Sequence, residues 1–235
     1  MLIIFEELFL NNTMSDNLVP DVKQSFFEMQ TKQDLLNLLN YVKPMVYGSE
    51  VKPFTFSQLN YNAHNSINPD RYRTFTIKKK SGKDRVITAP NPGLKAFQKC
   101  LNYVFQLVYT PNAHAYGFIP GKSVVDNASV HIGQNYVYNI DLKDFFPSNE
   151  SGRLYKRLQS KPLFVNAEVA SVITDLCCHP MEVERLDENG NVVRVIRSVL
   201  PQGAPTSPTL TNILCESLDF KLTKLAKKYG LNYSR

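Results

Sequence analysis

The sequence predicts an α+β fold, and three observations support that prediction. The 235 residues are 43% hydrophobic and 20% charged, which is typical of a folded globular protein. Two segments, 73–90 and 182–199, alternate apolar and polar residues around a turn, as antiparallel hairpins do. Other segments repeat apolar residues at helical spacing. Helices and hairpins interleaved in this way indicate an α+β architecture.

The N-terminal half begins with a predicted helix over 31–48, with Thr31 as its N-cap and Pro44 ending or kinking it. A loop-rich stretch follows at 49–70. The hairpin at 73–90 turns at Ser81–Gly82 and carries a basic tip. The next predictions are a helix over 93–109 and a short helix that begins near Ser123.

The C-terminal half opens with 135–146, which we predict to be a buried strand running out into two acids and two aromatics. Helices are predicted at 150–160 and 166–178. Asn189–Gly190 is the turn of the second hairpin. The loop LPQGAPTSP (200–208) precedes an amphipathic helix over 209–228, which ends near Gly230.

The net charge of +6 is concentrated in one segment. Residues 71–99 hold nine basic side chains and one acidic one, whereas residues 1–70 hold four basic and eight acidic ones. A local cluster of this kind is typical of a surface that binds phosphate or nucleic acid. The alternative is an ordinary solvated hairpin tip.

The four cysteines fit neither a zinc site nor a disulfide framework, so we expect small buried side chains in a reducing compartment. The opening MLIIFEELFL is apolar, but it contains Glu6 and Glu7 and lacks a basic leader. No apolar run is long enough to cross a bilayer. We therefore expect a cytoplasmic protein without membrane contact, for which Met14 is an alternative start.

Two acidic residues follow the predicted strand, in NIDLKDFFPS (139–148). Asp141 lies where the strand leaves the core, and Asp144 lies three residues further on. Carboxylates on a rigid element are the ligands that Mg²⁺ prefers in phosphoryl and nucleotidyl transfer. The alternative is that both aspartates cap the following turn or helix.

The loop LPQGAPTSP is the second segment with a chemical signal. Its three prolines stiffen the backbone, and Gly203 allows a ligand to approach closely. Gln202 offers a planar amide that can lie against a nucleotide. The alternative is a turn-rich linker.

Together, DLKDFF and LPQGAPTSP resemble motifs A and B of the palm of reverse transcriptases. FTIKKKSGKDRVITAP resembles the fingers hairpin of that family, and AYGFIPGKSVVDNA resembles its next conserved block. NASVH (127–131) resembles the NAxxH signature of the bacterial retron branch. The resemblance covers roughly residues 25–235.

The resemblance implies a polymerase with Mg²⁺ as cofactor, two ions being expected in the complete enzyme. It assigns Asp141 as the catalytic metal ligand and the Leu142 carbonyl as its companion. Phe146 matches the steric gate against a ribose 2′-hydroxyl. The other residues implied to bind the incoming nucleotide are Lys79, Arg85, Asp144, Phe145, Gln202 and Gly203.

The retron branch implies that a structured non-coding RNA from the same locus serves as template, together with a primer, dNTPs and the resulting RNA–DNA hybrid. It also implies an antiphage role, with a possible effector protein as partner. Phosphate contacts would make affinity fall with salt. The residues implied to contact nucleic acid are Arg71, Arg73, Lys78, Lys80, Lys83, Lys122, Asn127 and His131.

The resemblance divides the chain into a helical extension with the start of the fingers (1–70), fingers with the basic hairpin (71–134) and a partial palm (135–235). The sequence ends in LNYSR, where the family's Tyr-Ala-Asp-Asp is expected next, and thumb residues do not follow. We therefore expect residues 1–235 alone to be inactive. One alternative is a non-catalytic RNA-binding fragment. Another is a group II intron or defence-associated reverse transcriptase, or an RNA-templated RNA polymerase. Phe146 argues against the RNA polymerase, because RNA synthesis must admit the ribose 2′-hydroxyl.

Overall fold

The structure is a computed structural model, and it describes residues 18–64, 66–78, 82 and 84–235. The first elements are α1 (Leu18–Glu28), α2 (Lys32–Tyr47), α3 (Phe56–Ala63), a 3₁₀ turn (Pro69–Arg71), β1 (Tyr72–Lys78), β2 (Asp84–Pro90), α4 (Pro92–Val108) and α5 (Val124–Ser129). They are followed by α6 (Ser151–Gln159), α7 (Ala167–Cys177), β3 (His179–Leu186), β4 (Val192–Val199) and α8 (Ser207–Lys228). This mixture of helices and antiparallel hairpins confirms the predicted α+β class.

Capping boxes begin helices α2 and α3. Thr31 starts α2 by accepting a hydrogen bond from the Asp34 backbone N–H, while the Asp34 side chain accepts one from the Thr31 N–H. Thr55 and Gln58 start α3 in the same way. The stretch 49–70, predicted to be loop-rich, therefore also contains a helix, and the capping box that starts this helix is readable in the sequence.

Pro44 was predicted to end or kink α2, and the first of these two effects does not occur. The helix continues to Tyr47, and the Gly48 N–H donates to the Pro44 carbonyl at 2.8 Å. Pro44 lies in the last turn, where a missing N–H removes only one hydrogen bond near the helix end. A proline at that position is tolerated.

Helix α4 forms the centre of the core. It packs against α1, α2, α7 and α8, and it also contacts β2. Its buried side chains include Phe97, which stacks on Phe54 with ring centroids 3.9 Å apart, and Phe105, which meets Phe26 edge to face at 6.2 Å. Burying a large apolar side chain contributes about 1.5–3 kcal/mol. Helix α4 is thus a rigid support for both the first hairpin and α8.

The paired strands of both predicted hairpins are confirmed, while Ser81 in the predicted turn of the first lies outside the described residues. Strands β1 and β2 pair antiparallel from Tyr72↔Pro90 to Lys78↔Asp84, and β3 and β4 pair from His179↔Val199 to Leu186↔Val192. Each forms a two-stranded sheet of its own.

The buried strand predicted at 135–146 is wrong. Within the described residues no strand pairs with this segment, and its backbone runs outside any sheet. Tyr136, Tyr138 and Ile140 are 94%, 88% and 71% exposed. A strand is buried only when neighbouring strands and helices cover it, and its own apolar sequence does not supply that cover.

The four cysteines are free and buried, as expected. Burial raises the pKa of the Cys177 thiol to about 12, so this side chain stays neutral. In the described part of the chain, no helix combines the length and apolar character needed to cross a bilayer.

Candidate functional site

The loop between β4 and α8 is held to two other segments by backbone hydrogen bonds. The Leu200 N–H donates to the Asn149 carbonyl at 3.0 Å, and the Thr88 N–H donates to the Gln202 carbonyl at 2.8 Å. The first bond fixes the loop to the turn that follows Asp141, and the second fixes it to β2. The basic hairpin and the acidic segment that contains Asp141 are therefore both attached to the loop LPQGAPTSP.

Gly203 sits where no other residue fits without strain. Its φ is +132°, which L side chains rarely adopt. A Cβ at this position would lie 2.8 Å from both the Ile87 Cγ2 atom and the Thr88 carbonyl oxygen. The glycine therefore lets the loop approach β2 closely, and the adjacent Gln202, which is half-buried, is placed beside the hairpin.

The acidic segment presents its two carboxylates to solvent. Asp141 lies in irregular backbone just before a turn, and Asp144 lies in that turn with a φ of +50°. The Ser148 N–H donates to the Asp144 carbonyl at 2.8 Å, and the Asn149 side-chain amide donates to the Phe145 carbonyl at 2.6 Å. One backbone hydrogen bond and the Asn149 side chain thus hold the turn. No described residue donates a hydrogen bond to either aspartate side chain, so neither acts as a cap here.

The described residues do not assemble a metal site. Among them, no group of three or more His, Cys, Asp or Glu side chains is assembled that could hold an ion. The exposed carboxylate of Asp141 suits a hard cation. A complete coordination shell requires further oxygen ligands.

Phe146 is half-buried and contacts two other aromatic rings. Its centroid lies 5.6 Å from that of Phe145 and 6.0 Å from that of Phe118, which itself has a φ of +61°. The block 115–123 therefore packs on the motif that follows Asp141. The steric-gate role of Phe146 stays a prediction.

The first hairpin carries the cations expected to hold phosphates, and Arg73, Lys78 and Arg85 are exposed on it. Because Arg85 and Ile87 are two residues apart in β2, they lie on the same face, the one that Gly203 approaches. The Arg73 guanidinium lies 5.7 Å from the Phe75 ring centroid. The remaining hairpin cations, Lys79, Lys80 and Lys83, lie outside the described residues.

Arg71 is not placed to contact phosphate, which corrects that expectation. The residue is 2% exposed, and its guanidinium donates to four backbone carbonyls at 2.7–3.1 Å. Two of these carbonyls belong to the end of α3 and two to the α7–β3 region, namely Asn62, Ala63, Asp175 and Cys178. Burial lowers the pKa of Arg71. Its role is to join these elements.

Lys122 is also committed to the fold. Its ammonium donates to the Ala113 and Ala115 carbonyls, each at 2.8 Å, and lies 4.4 Å from the Tyr116 ring centroid. An ammonium has three N–H donors and two of them are used here, so the phosphate contact expected of Lys122 stays a prediction.

The NASVH segment contacts the C-terminal residues. His131 Nε2 lies 2.7 Å from the Ser234 hydroxyl oxygen, and Asn232 donates to the Val130 carbonyl at 2.8 Å. The short helix predicted to begin near Ser123 is α5, and Ser123 is its N-cap. A nucleic-acid role for Asn127 and His131 stays a prediction.

Sequence reasoning missed Thr88, Asn149 and Asp219. Thr88 and Asn149 contact the loop through backbone atoms, and neither has a side-chain type that would reveal this contact. Asp219 is fully buried and bonds Tyr233 and Arg235 across 14 and 16 residues. An acid inside an apolar helical pattern was the available signal for that contact.

Comparison with known proteins gives consistent matches. The family model described as "Reverse transcriptase (RNA-dependent DNA polymerase)" matches residues 77–234. The chain is 40% identical over 168 residues to the retron Mx162 reverse transcriptase of Myxococcus xanthus, covering 70% of this chain and 34% of that protein. It is 33% identical over 204 residues to the retron Ec86 reverse transcriptase of Escherichia coli, covering 85% and 56%. The matches thus span between about a third and somewhat more than half of these relatives.

Proposed function

Because the chain belongs to the reverse transcriptase (RNA-dependent DNA polymerase) family, we propose that it forms part of an enzyme that copies an RNA template into DNA. The proposed reaction is attack of a primer 3′-hydroxyl on the α-phosphate of a dNTP, with pyrophosphate leaving. Retron reverse transcriptases among its relatives support the retron branch, as does NASVH. The proposal includes a structured RNA template, a role in antiphage defence and an effector protein as possible partner.

The observation that supports this proposal best is the double attachment of the loop 200–206. The Leu200 N–H bonds the turn after the acidic segment, and the Gln202 carbonyl bonds β2 of the basic hairpin. A dNTP bound beside this loop would have carboxylates on one side and hairpin cations on the other. Nucleotidyl transfer is accelerated when catalytic groups on rigid elements hold the reacting atoms in the correct geometry.

Each residue then has a proposed task. Asp141 and the Leu142 carbonyl contribute ligands for Mg²⁺, which when bound stabilises charge on the phosphates. Arg85 binds phosphate oxygens through its fork of N–H donors, and Lys79 adds a point charge. Phe146 lies under the sugar and excludes a 2′-hydroxyl.

The remaining nucleotide contacts come from Asp144, Phe145, Gln202 and Gly203. Residues 71–134 correspond to fingers and 135–235 to part of a palm. The chain's single matched metal aspartate leads us to expect no primer extension by residues 1–235 alone.

A photo-crosslinking experiment tests the nucleotide site directly. The 235-residue protein is incubated with 8-azido-dATP, Mg²⁺ and an RNA–DNA primer–template, irradiated, and digested for mass spectrometry. We expect label on peptides spanning 139–153 and 198–206, with dATP competing better than ATP. Label that is absent from both peptides, or equal competition by the two nucleotides, would contradict the proposal.

A matched pair of variants sharpens the experiment. Arg85→Gln removes a proposed phosphate ligand and should reduce labelling, whereas Arg197→Gln removes an exposed arginine of the second hairpin and should not. Labelling that falls equally in both variants indicates a general charge effect rather than a site.

A further inference from the structure

The second half of α8 exposes a row of lysines. All residues from 207 to 215 of this helix except Pro208 are buried, but from residue 217 onward most positions face solvent. The exposed lysines are Lys221, Lys224, Lys227 and Lys228, which we call the α8 lysine row. At about 100° per residue, Lys221, Lys224 and Lys228 lie on one face.

No described acid neutralises this row. The segment 220–235 contains no Asp or Glu, and none of the four lysines forms an ion pair with a described residue. The two acids of α8 are engaged elsewhere, since Glu216 pairs with Arg157 and Asp219 with Arg235. The row is therefore a concentrated positive patch.

Aromatic rings flank the lysines. Phe220 and Tyr229 are 66% and 62% exposed, and the Lys228 ammonium lies 5.3 Å from the Tyr229 ring centroid. Exposed rings beside cations suit unpaired bases of a folded RNA, which stack on aromatic faces. A membrane surface fits less well, because the continuous apolar face of α8 is already buried in the core through Leu210, Ile213 and Leu214.

The row is distant from the proposed nucleotide site. At about 1.5 Å per residue along the helix, Lys221 and Lys228 lie roughly 21 and 32 Å from Ser207, where α8 leaves the loop. A ligand on the row is therefore separate from a dNTP beside Gln202.

We propose that the α8 lysine row binds the phosphate backbone of a structured RNA outside the copying site, as a second anchor for the RNA that the enzyme uses. This inference rests on the proposed function for the identity of its partner. Four lysines along about 10 Å of helix match the dense charge of a nucleic-acid backbone. Together with the basic hairpin, the row would give one RNA two separated contacts.

Salt-dependent RNA binding tests the proposal. The probe is a labelled RNA stem–loop of about 20 base pairs, measured by fluorescence anisotropy from about 50 to 200 mM KCl. The variant replaces all four lysines of the row by Gln. Because each lost phosphate contact lowers the salt slope by about 1, we expect weaker binding and a slope reduced by about 3–4.

The control variant carries the same change in net charge. It replaces four exposed lysines spread over other parts of the surface by Gln, namely Lys23, Lys52, Lys95 and Lys156. We expect its salt slope to change by less than about 1. Equal salt slopes for the two variants would overturn the proposal. Unchanged RNA binding by the row variant would also overturn it, even if an acidic protein is then found to bind the lysine row. Circular dichroism and urea unfolding verify that both variants fold.

The outcome is separable from that of the proposed function. Azido-dATP labelling near Asp141 and Gln202 is measured on the same variants. If the row variant retains azido-dATP labelling and its RNA binding keeps the same salt slope, only the proposal for the lysine row is rejected. A reduced slope in a protein that takes up no label supports the row and rejects the nucleotide site.

Discussion

The buried carboxylate of Asp219 accepts two hydrogen bonds from the guanidinium of Arg235, at 2.8 and 2.7 Å. The Tyr233 hydroxyl donates to the same carboxylate at 2.7 Å. The Arg235 backbone continues the contact, because its carbonyl accepts the Tyr116 N–H at 2.6 Å and its N–H donates to the His114 carbonyl at 2.9 Å. One ion pair thus fixes residues 231–235 between α8 and the loop that precedes α5.

Removing either partner of this pair should destabilise the protein. Breaking a buried ion pair costs about 3–5 kcal/mol when one charge is left alone. Arg235→Gln should cost more than Asp219→Asn, because the Asp219 side chain is fully buried whereas that of Arg235 is 18% exposed and can reach water. Urea unfolding gives the free energies, and hydrogen exchange at the Tyr116 amide reports the local release.

The control for this prediction is an exposed pair. Glu182 lies 3.5 Å from Arg194, and both side chains are more than half exposed. Glu182→Gln should change stability by less than about 1 kcal/mol. If Asp219→Asn and Arg235→Gln behave like this control and Tyr116 stays protected, residues 231–235 are not held by the pair.

Local signals allowed much of the fold to be predicted from the sequence. The alternation around Asn189–Gly190 and the cap at Thr31 each determine structure within a few residues, and both predictions held. The strand at 135–146 failed because burial depends on other segments. Arg71 was misread for the same reason, since two of its carbonyl partners, Asp175 in α7 and Cys178 just before β3, lie about a hundred residues away.

The site was predictable only by composition and resemblance. Asp141 and Gln202 were singled out by residue type, but nothing in the sequence places Thr88 against Gln202. That contact joins residues 114 positions apart through backbone atoms. Backbone hydrogen bonds between distant loops leave no side-chain pattern to read.

Gly203→Ala should destabilise the junction between the loop 200–206 and β2. A Cβ at this φ of +132° is strained, and the Thr88 carbonyl at 2.8 Å is backbone that must move. Together these effects should cost about 2 kcal/mol or more. Urea unfolding measures the loss, and azido-dATP labelling should fall with it.

Gly152→Ala should have the opposite effect on stability to Gly203→Ala. Gly152 lies in the first turn of α6, where no atom stands within 4 Å of the added Cβ. Alanine there should stabilise the protein by about 0.4–1 kcal/mol. Destabilisation of similar size in both variants would mean that the close approach at Gly203 is not the cause.

Substitution of Arg71 should lower stability, whereas substitution of Arg73 should weaken RNA binding without lowering stability. Arg71→Met leaves several buried carbonyls without donors, so we expect a loss of about 3 kcal/mol or more. Arg73→Gln changes an exposed hairpin residue, so stability should stay within about 0.5 kcal/mol while the salt slope of RNA binding falls by about 1. If Arg71→Met keeps its stability but loses RNA affinity, the expectation from the sequence that Arg71 contacts nucleic-acid phosphate would be supported instead.

His179 should make the protein sensitive to mild acid. Burial, with a smaller contribution from Arg71, lowers the pKa of this imidazole from its ordinary 6.5 to about 4. Its ring lies 4.5 Å from that of Tyr72, and its Nδ1 atom has no hydrogen-bond partner among the described residues. The folded protein thus holds His179 neutral, whereas the unfolded chain protonates it below about pH 6.5.

The sign follows from which state binds the proton. Between about pH 6.5 and 4 the unfolded chain holds one more proton than the folded protein, so stability falls as the pH is lowered through this window. The residue is partly solvated, so we discount the full shift and expect a loss of about 1 kcal/mol between pH 7 and pH 5. Urea unfolding at the two pH values should show a smaller difference for His179→Phe than for the unmodified protein. His114→Gln serves as control and should leave the difference unchanged, and an equal difference in His179→Phe would assign the acid sensitivity to other groups.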